Sequence, residues 1–314
     1  MCQNTEYKEL LTIYTPTFNR SKYLSCLYES LRVQTDKRFI WYIVDDGSID
    51  DTEEKVKEWK KEAPFRIEYR YKKNEGVHTA RDLAYRLVET ELIVGIDSDD
   101  QLLPNAVEII LKKWDECEDH SDVCGLITLV QNDKGIILDK NFPKVSRITY
   151  QQLTYKYKST TDHTIVLRSD IIKKIPNAPV FKNEKLVNES YKWIQLPQIP
   201  FLVLRESTVV HSYLENGYTQ NVRKNWFNNL NGYLALYNQQ IKSNLFFKYR
   251  FYFAIKYMVA AIFLKKKDCI KKSNSPLLTF FVTPIAYLVY CYMLAKYNSY
   301  SRLSKCTSRE KDHE

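Results

Sequence analysis

Leu92-Ile93-Val94-Gly95-Ile96 runs directly into Asp97-Ser98-Asp99-Asp100. The apolar run is short enough for a buried strand rather than a helix. Three carboxylates crowd its carboxyl end, and they repel one another unless a cation or a basic side chain sits among them. Oxygen-only ligands suit Mg2+ or Mn2+, ions commonly held by one or two carboxylates together with substrate phosphates. A second apolar run, Phe39 to Val44, ends the same way, in Asp45-Asp46-Gly47-Ser48. Two acidic strand ends in one α/β segment point to a metal–nucleotide site.

Outward from these two strands the pattern repeats. Strands are expected at Leu10–Thr15, Phe39–Val44, Ile67–Tyr71 and Leu92–Ile96. Ser21 is the expected cap of a helix with Leu24, Leu27 and Leu31 on one face. Thr52–Lys61 reads as a helix facing inward through Val56 and Trp59, with Asp50 or Asp51 as its cap. Thr79–Val88 carries Ala80, Leu83, Ala84 and Leu87 at helical spacing. Such alternation predicts a parallel sheet covered by helices on both faces. Ligands of such sheets bind outside the carboxyl ends of the strands, where both acid clusters lie. After Pro104 the alternation loosens. A helix is expected over Ala106–Trp114 and a strand over Cys124–Val130. A turn at Asn132–Gly135 leads into Ile136–Leu138, and short helices are expected near Ser169–Lys174 and Val187–Leu196.

Seven cysteines, odd in number and scattered without a Cys-x-x-Cys pair, argue against a disulfide framework or zinc site and for a reducing cytoplasm. Met1 to Leu10 lacks a basic and then apolar stretch, so no signal peptide is expected. The net charge of +9 is uneven: from Lys242 onward there are 14 basic and 4 acidic residues, leaving 33 basic and 34 acidic before it. The basic character belongs to the tail and does not mark a nucleic-acid binder.

In that tail, Leu245–Leu264 is aromatic and apolar, interrupted by Lys248, Arg250 and Lys256, and Lys265-Lys266-Lys267 follows. Ser273 to Ala295 then runs 23 residues without a charge, with Pro284 inside. The length can span a bilayer. Flanking lysines and aromatics fit an interfacial helix as well, and a pair of helices packed on the globular domain is the plainer alternative. Basic residues beside apolar surface favour anionic cytoplasmic lipid. The expectation is contact with the inner membrane surface through residues 245–300, and a location at the cytoplasmic face of the cell membrane.

Other site types are excluded by what is missing. Asp97 to Glu108 has the length of an EF-hand loop, but Leu102 stands where the sharp turn requires Gly. No Gly-x-Gly-x-x-Gly, Walker A or Ser nucleophile-elbow sequence occurs. His78, His163 and His211 lack metal-ligand spacing.

Four motifs in order resemble glycosyltransferase family 2 over roughly residues 10–235. They are Thr15-Pro16-Thr17-Phe18-Asn19-Arg20; Val44-Asp45-Asp46-Gly47-Ser48; Asn74-Glu75-Gly76 with Ala80-Arg81-Asp82; and Ile96-Asp97-Ser98-Asp99-Asp100 with Pro104. The later chain is similar to members that build bacterial capsules, exopolysaccharides and O-antigens. Asp162 with Ile165–Arg168 resembles an acceptor-cleft segment, Phe181–Glu189 a glutamate-bearing loop, and His211–Thr219 a closing segment. Where many members carry Glu-Asp, this chain carries Asn188-Glu189.

The resemblance implies an α/β GT-A (Rossmann-like) fold: a mixed, mostly parallel sheet flanked by helices, with a C-terminal helical tail. It divides the globular part into a nucleotide-sugar-binding half at 1–105 and an acceptor-binding half at 106–240, and composition sets off the basic apolar tail at 241–314. Pro16, Thr17, Asn19, Arg20, Asp46, Gly47, Asn74, Gly76, Arg81, Asp97 and Ser98 become nucleotide-sugar residues, with a preference for a uracil-type base. Asp99 and Asp97 become ligands of Mg2+ or Mn2+. Glu189 becomes the catalytic base and Glu184 the alternative, because an acceptor hydroxyl must lose its proton during attack. Asp162 and His163 lie on the side of a glycan or lipid-linked acceptor. The implied activity is inverting, metal-dependent sugar transfer from a nucleotide-sugar, in the first place a UDP-sugar, to a surface polysaccharide. A catalytically inactive sugar-nucleotide binder or assembly partner, and a nucleotidyltransferase, stand as alternatives.

Overall fold

Strand β1 (Leu11–Thr17) is buried at every position and divides the core between two faces. Successive strand residues point to opposite sides. Leu11 and Ile13 accordingly join Leu24, Leu27, Trp41 and Trp114 on one face. Tyr14 joins Tyr42, Ala84, Tyr85 and Trp193 on the other. In this computed structural model the described residues are 8–140, 142–159, 163–212 and 222–310, with side chains described as far as 296.

The chain continues through α1 (Ser21–Arg32), β2 (Phe39–Asp45), α2 (Thr52–Glu62), β3 (Arg66–Tyr71), α3 (Val77–Leu87) and β4 (Leu92–Gly95). The next elements are β5 (Gln101–Leu102), α4 (Ala106–Asp115), β6 (Gly125–Asn132), β7 (Arg147–Ile148), β8 (Thr164–Arg168), α5 (Ser169–Ile172), α6 (Ser190–Trp193) and β9 (Phe201–His211). The strands form one sheet in the order β3-β2-β1-β4-β8-β6-β9-β5, with β7 beside β9. β3, β2, β1 and β4 are mutually parallel. β8 is antiparallel to β4 and β6, β9 runs parallel to β6, and β5 and β7 run antiparallel to β9. Parallel pairing is therefore concentrated in the first half, the part with regular strand–helix alternation.

Several local expectations are corrected. Ser21 is the first residue of α1, not its cap; the cap position is Arg20, and the orphan N–H of Ser21 is taken by Asp50 at 3.1 Å. The other Asp50 oxygen accepts from the Thr52 hydroxyl at 2.6 Å and the Thr52 N–H at 3.3 Å. One carboxylate thus serves the N-termini of two helices, the groups that helix geometry leaves unpaired. α3 begins at Val77 rather than Thr79, since Gly76 at φ +109° turns the chain directly into it. Ile136–Leu138 contributes only an isolated bridge, Gln131 to Ile137. The helix expected over Val187–Leu196 contracts to α6.

The chain divides into two compact units, Met1–Asn225 and Trp226–Glu314. The single sheet joins the stretches 1–105 and 106–212 within the first unit. The second unit begins before residue 241 because α8 (Leu230–Ser243) packs along α9 (Phe247–Phe263), with Tyr237 stacked on Phe253 at 6.0 Å. It begins within α7 (Val222–Asn228), at Trp226, and ends with α10 (Cys269–Lys272) and α11 (Pro276–Glu310). α11 buries Thr279, Val282 and Ala286, a helical stripe, and packs on α9 with Tyr290 4.7 Å from Phe263. Its other side exposes Leu277, Phe280, Phe281, Leu288 and Tyr292, with Leu288 at 71%. Among the described residues, Pro276–Lys296 is one helical stretch long and apolar enough to cross a membrane.

Candidate active site

The carboxyl ends of β1, β2 and β4 open onto a cavity of about 950 Å³ in the first unit. That volume lies within the usual range of small-molecule sites. Pro16, Thr17, Arg20, Asp46, Asn74, Gly76, Arg81, Asp97, Ser98, Asp99, His163 and Glu189 all line it, so most residues singled out in the sequence converge here. Asn19, Gly47 and Glu184 do not appear in its lining. Asn19 ties two loops together, donating from its N–H to Ser48 Oγ at 2.8 Å and accepting from the Ile49 N–H at 2.8 Å. Gly47, at φ +93°, lets the loop approach Asn74, whose backbone N would lie 2.9 Å from an added Cβ. Both shape the rim of the site. Asp162 and Tyr213–Thr219 lie outside the described residues.

Each of the three crowded carboxylates has a basic partner from a different element. Asp99 and Arg20 form a bidentate pair, Nη1 to Oδ1 at 3.1 Å and Nη2 to Oδ2 at 3.2 Å. Asp97 lies 3.6 Å from Arg81 Nη2. Asp100 accepts from the Ser212 N–H at 3.2 Å and lies 3.0 Å from His211 Nδ1. Burial raises the Asp100 pKa above the ordinary carboxylate value, with the His211 contact working against it. The repulsion expected from the sequence is thus relieved at Asp99 and Asp97 by Arg20 and Arg81, while Asp100 is held by hydrogen bonding.

Arg81 reaches inward from α3 and also faces Glu189, with Nη1 3.5 Å from Oε2. Burial opposes its charge, but Glu189 and Asp97 together keep its pKa raised. Beneath it, the hydroxyls of Tyr14 and Tyr85 share a hydrogen bond of 2.5 Å. Burial pushes both phenols above their ordinary value, so both stay protonated. Gly95 makes room for this pair: an added Cβ would stand 2.5 Å from Tyr14 Oη. Neither tyrosine was singled out as a site residue in the sequence.

Asp46 is almost wholly buried. Its Oδ1 accepts from Lys72 Nζ at 2.7 Å and the Glu75 N–H at 3.0 Å, and its Oδ2 accepts from the Gly76 N–H at 2.7 Å. The carboxylate therefore fixes the Asn74–Gly76 loop. A carboxylate offers about four lone-pair sites, so one remains for a ligand. Opposite, Lys185 Nζ donates to the Asn74 carbonyl at 2.7 Å, and Gly76 packs on the Lys185 backbone. The segment carrying Glu189 is thus tied to the loop that Asp46 holds. At the far end His163 Nε2 lies 3.0 Å from Asp139 Oδ2 and 3.1 Å from Ser159 Oγ.

The donor set suits a hard divalent cation only in part supplied by protein. Asp97 and Asp99 present oxygens from one loop, while no group of three or more His, Cys, Asp or Glu among the described residues would hold an ion unaided. Mg2+ and Mn2+ take their remaining oxygens from phosphate and water, so these two carboxylates fit such an ion together with a diphosphate.

The family profile of Glycosyl transferase family 2 matches residues 12–175, just over half of the chain, and the chain belongs to that family. Chondroitin synthase of Escherichia coli is 33% identical over 174 residues, covering 54% of this chain and 25% of that protein. The chain spans between 19% and 25% of the length of the curated relatives it first matches. Staphylococcus aureus TarS 1–349 in complex with UDP-GlcNAc shows a TM-score of 0.57 at 15% identity, over 84% of this chain and 76% of that one. The mannosyltransferase PcManGT of Pyrobaculum calidifontis, in complex with GDP-Man and Mn2+, shows a TM-score of 0.53 at 13% identity, over 91% and 82%. At these identities the likeness establishes the fold, which is that of GT-A glycosyltransferases.

Proposed function

We propose that this family 2 chain transfers one sugar, with inversion, from a nucleotide-sugar to a hydroxyl of a growing bacterial surface glycan. The observation that carries the reading is the convergence of Glu189, Arg81, Asp97 and the Arg20–Asp99 pair on one cavity at the strand ends. Of the two glutamates considered as base, Glu189 lines the cavity and Glu184 does not.

The chemistry follows from those positions. Glu189 takes the proton of the acceptor hydroxyl as its oxygen attacks the anomeric carbon. The bond from that carbon to the diphosphate breaks on the opposite face, so one displacement inverts the centre. Negative charge builds on the departing diphosphate, which Arg20 and Arg81, both lining the cavity, would stabilise as cations. A divalent ion at Asp99 and Asp97, when bound, adds electrostatic stabilisation of the same charge. Asp46 and the Asn74–Gly76 loop lie where the nucleoside would rest. A UDP-sugar is supported by the TarS complex, while the GDP-Man complex of PcManGT keeps the base a matter for direct test. The exposed apolar stripe of α11, in a basic unit, supports rest on an anionic membrane at its cytoplasmic face, where a lipid-linked acceptor would be presented.

The deciding experiment incubates the full chain with a panel of nucleotide-sugars and Mn2+ and measures nucleoside diphosphate release with and without a glycan acceptor. Release from one donor, dependent on Glu189, supports the reading. Binding without release would favour an inactive sugar-nucleotide binder. Release of inorganic diphosphate from a nucleoside triphosphate would replace it with a nucleotidyltransferase.

A further inference from the structure

Resting on the metal and diphosphate reading above, we infer that Arg20 is a resident counter-ion of Asp99 that competes with the divalent cation. It yields the carboxylate when a diphosphate takes the guanidinium in exchange. Three observations carry this.

The first is the completeness of the pair. Both Asp99 oxygens are engaged by Arg20, whose Nη1 also donates to Ser98 Oγ at 3.1 Å. The guanidinium carbon sits 5.3 Å over the Tyr23 ring, within cation–π range. The Asp99 side chain is 16% exposed and that of Arg20 34%, so the pair is partly shielded from water. The second is contrast with the neighbouring acid. Asp97 is 54% exposed, and among the described residues its ion-pair partner, Arg81, stands at 3.6 Å, too far for the bidentate hydrogen bonding seen at Asp99. Asp99 alone of the two proposed ligands is sealed. The third is location: Arg20 lines the same cavity as Asp46 and Asn74, so the phosphates of a nucleotide bound there would come within its reach.

A cation entering at Asp99 while Arg20 remains meets a like charge at the same oxygens, which disfavours it. A diphosphate resolves the conflict. It offers the planar guanidinium a bidentate partner as good as a carboxylate, and it supplies the ion with further oxygens. Metal and nucleotide are therefore coupled through one side chain, and each raises the affinity of the other by the same factor.

The test measures Mn2+ binding to the full chain by the electron paramagnetic resonance signal of free Mn2+, with and without UDP or GDP. In the unsubstituted protein a nucleoside diphosphate is expected to raise Mn2+ affinity by roughly 5- to 150-fold, the usual range of such coupling. Arg20→Gln is expected to tighten Mn2+ binding in the absence of nucleotide by at least about fivefold and to shrink that factor correspondingly. Arg20→Lys, which keeps the charge but loses the fork, should fall between the two, and it serves if Arg20→Gln melts too early to assay. Unchanged nucleotide-free affinity in both variants, with coupling intact, overturns the inference and leaves the metal–nucleotide site standing. Absence of Mn2+ binding under every condition overturns that site, and this inference with it.

Discussion

Arg81 and Glu189 face each other across the cavity wall, Nη1 3.5 Å from Oε2, although 108 positions separate them in the chain. The same guanidinium faces Asp97 at 3.6 Å. Glu189 and Asp97 thus share one cation, which orients the Glu189 carboxylate without neutralising it by proton transfer. Glu189→Gln preserves the shape of this arrangement and removes the carboxylate proposed as proton acceptor. Turnover is expected to fall by about 100-fold or more, the usual contribution of a general base, while UDP affinity measured by calorimetry stays within about twofold. Glu184→Gln, outside the cavity lining, should leave turnover near that of the unsubstituted protein. Equal losses from both substitutions would remove Glu189 from the role.

Gly76 meets two demands at once. Its φ of +109° disfavours any side chain, and a Cβ would lie 2.2 Å from the Lys185 carbonyl oxygen. Gly76→Ala must therefore move the Asn74–Gly76 loop away from the segment that carries Glu189, breaking the bond from Lys185 Nζ to the Asn74 carbonyl. Backbone strain alone is of order 1–3 kcal/mol. A lowered melting temperature together with weaker UDP binding is expected. A variant with unchanged nucleotide affinity would show that the loop does not touch the ligand.

The convergence at the strand ends was legible because its elements carry local signals. β1, β2 and β4 are short apolar runs, and α1 and α2 show helical spacing. β9 escaped for a physical reason. Arg205 and Glu206 interrupt its apolar pattern, and they stand at a shift in its register with β6, where the strand carries extra residues. The partners of the acids were not legible at all: Arg20 lies 79 positions from Asp99, and only the folded sheet brings them together. Asp46 shows a further limit. Its place at the carboxyl end of the second strand suggested a ligand contact, whereas the fold spends most of its hydrogen-bonding capacity on Lys72 and the neighbouring loop.

That engagement gives Asp46 a measurable structural role. The side chains of Asp46 and Lys72 are 5% and 15% exposed. Removing one partner of such a buried pair commonly costs about 3–5 kcal/mol, because the remaining charge is left without compensation. Asp46→Ala is expected to reach about 3 kcal/mol by urea denaturation. Adding Lys72→Met to Asp46→Ala should recover part of the loss by removing an ammonium whose remaining ion pair, at 3.1 Å, is with the half-exposed Glu75. No recovery in the double variant would assign the cost to the two loop N–H groups instead.

Asp50 supplies a pH dependence. Burial opposes its charge, yet the hydrogen bonds from Thr52 and Ser21 outweigh that and hold its pKa below the ordinary 3.8. A lowered folded-state pKa means that its stabilisation is complete above the unfolded-chain value. It is lost as pH falls from there through the lower folded-state value. Asp50→Ala removes caps from α1 and α2, at about 1 kcal/mol for each helix start. The stability gap between Asp50→Ala and the unsubstituted protein should be about 2 kcal/mol at pH 7 and close as pH drops below 3.8. A gap that persists undiminished into acid would mean that packing, not the charged cap, carries the effect.

α11 offers the last test. Its buried stripe of Thr279, Val282 and Ala286 packs within the second unit, while Phe280 and Leu288 lie on the exposed side at 60% and 71%. Replacing those two with glutamate leaves the buried stripe intact but places charge where an apolar surface would enter lipid. Binding to vesicles containing phosphatidylglycerol is expected for the full chain and should weaken with added salt, as attraction of lysines to anionic headgroups requires. Phe280→Glu with Leu288→Glu should reduce that binding at least about tenfold, since each lost apolar contact is worth roughly 1.5–3 kcal/mol when fully buried. Circular dichroism should remain unchanged. Equal vesicle binding by the double variant would place this face against protein rather than lipid, and a monomer–dimer difference between the two forms in light scattering would identify that protein as a second copy of the chain.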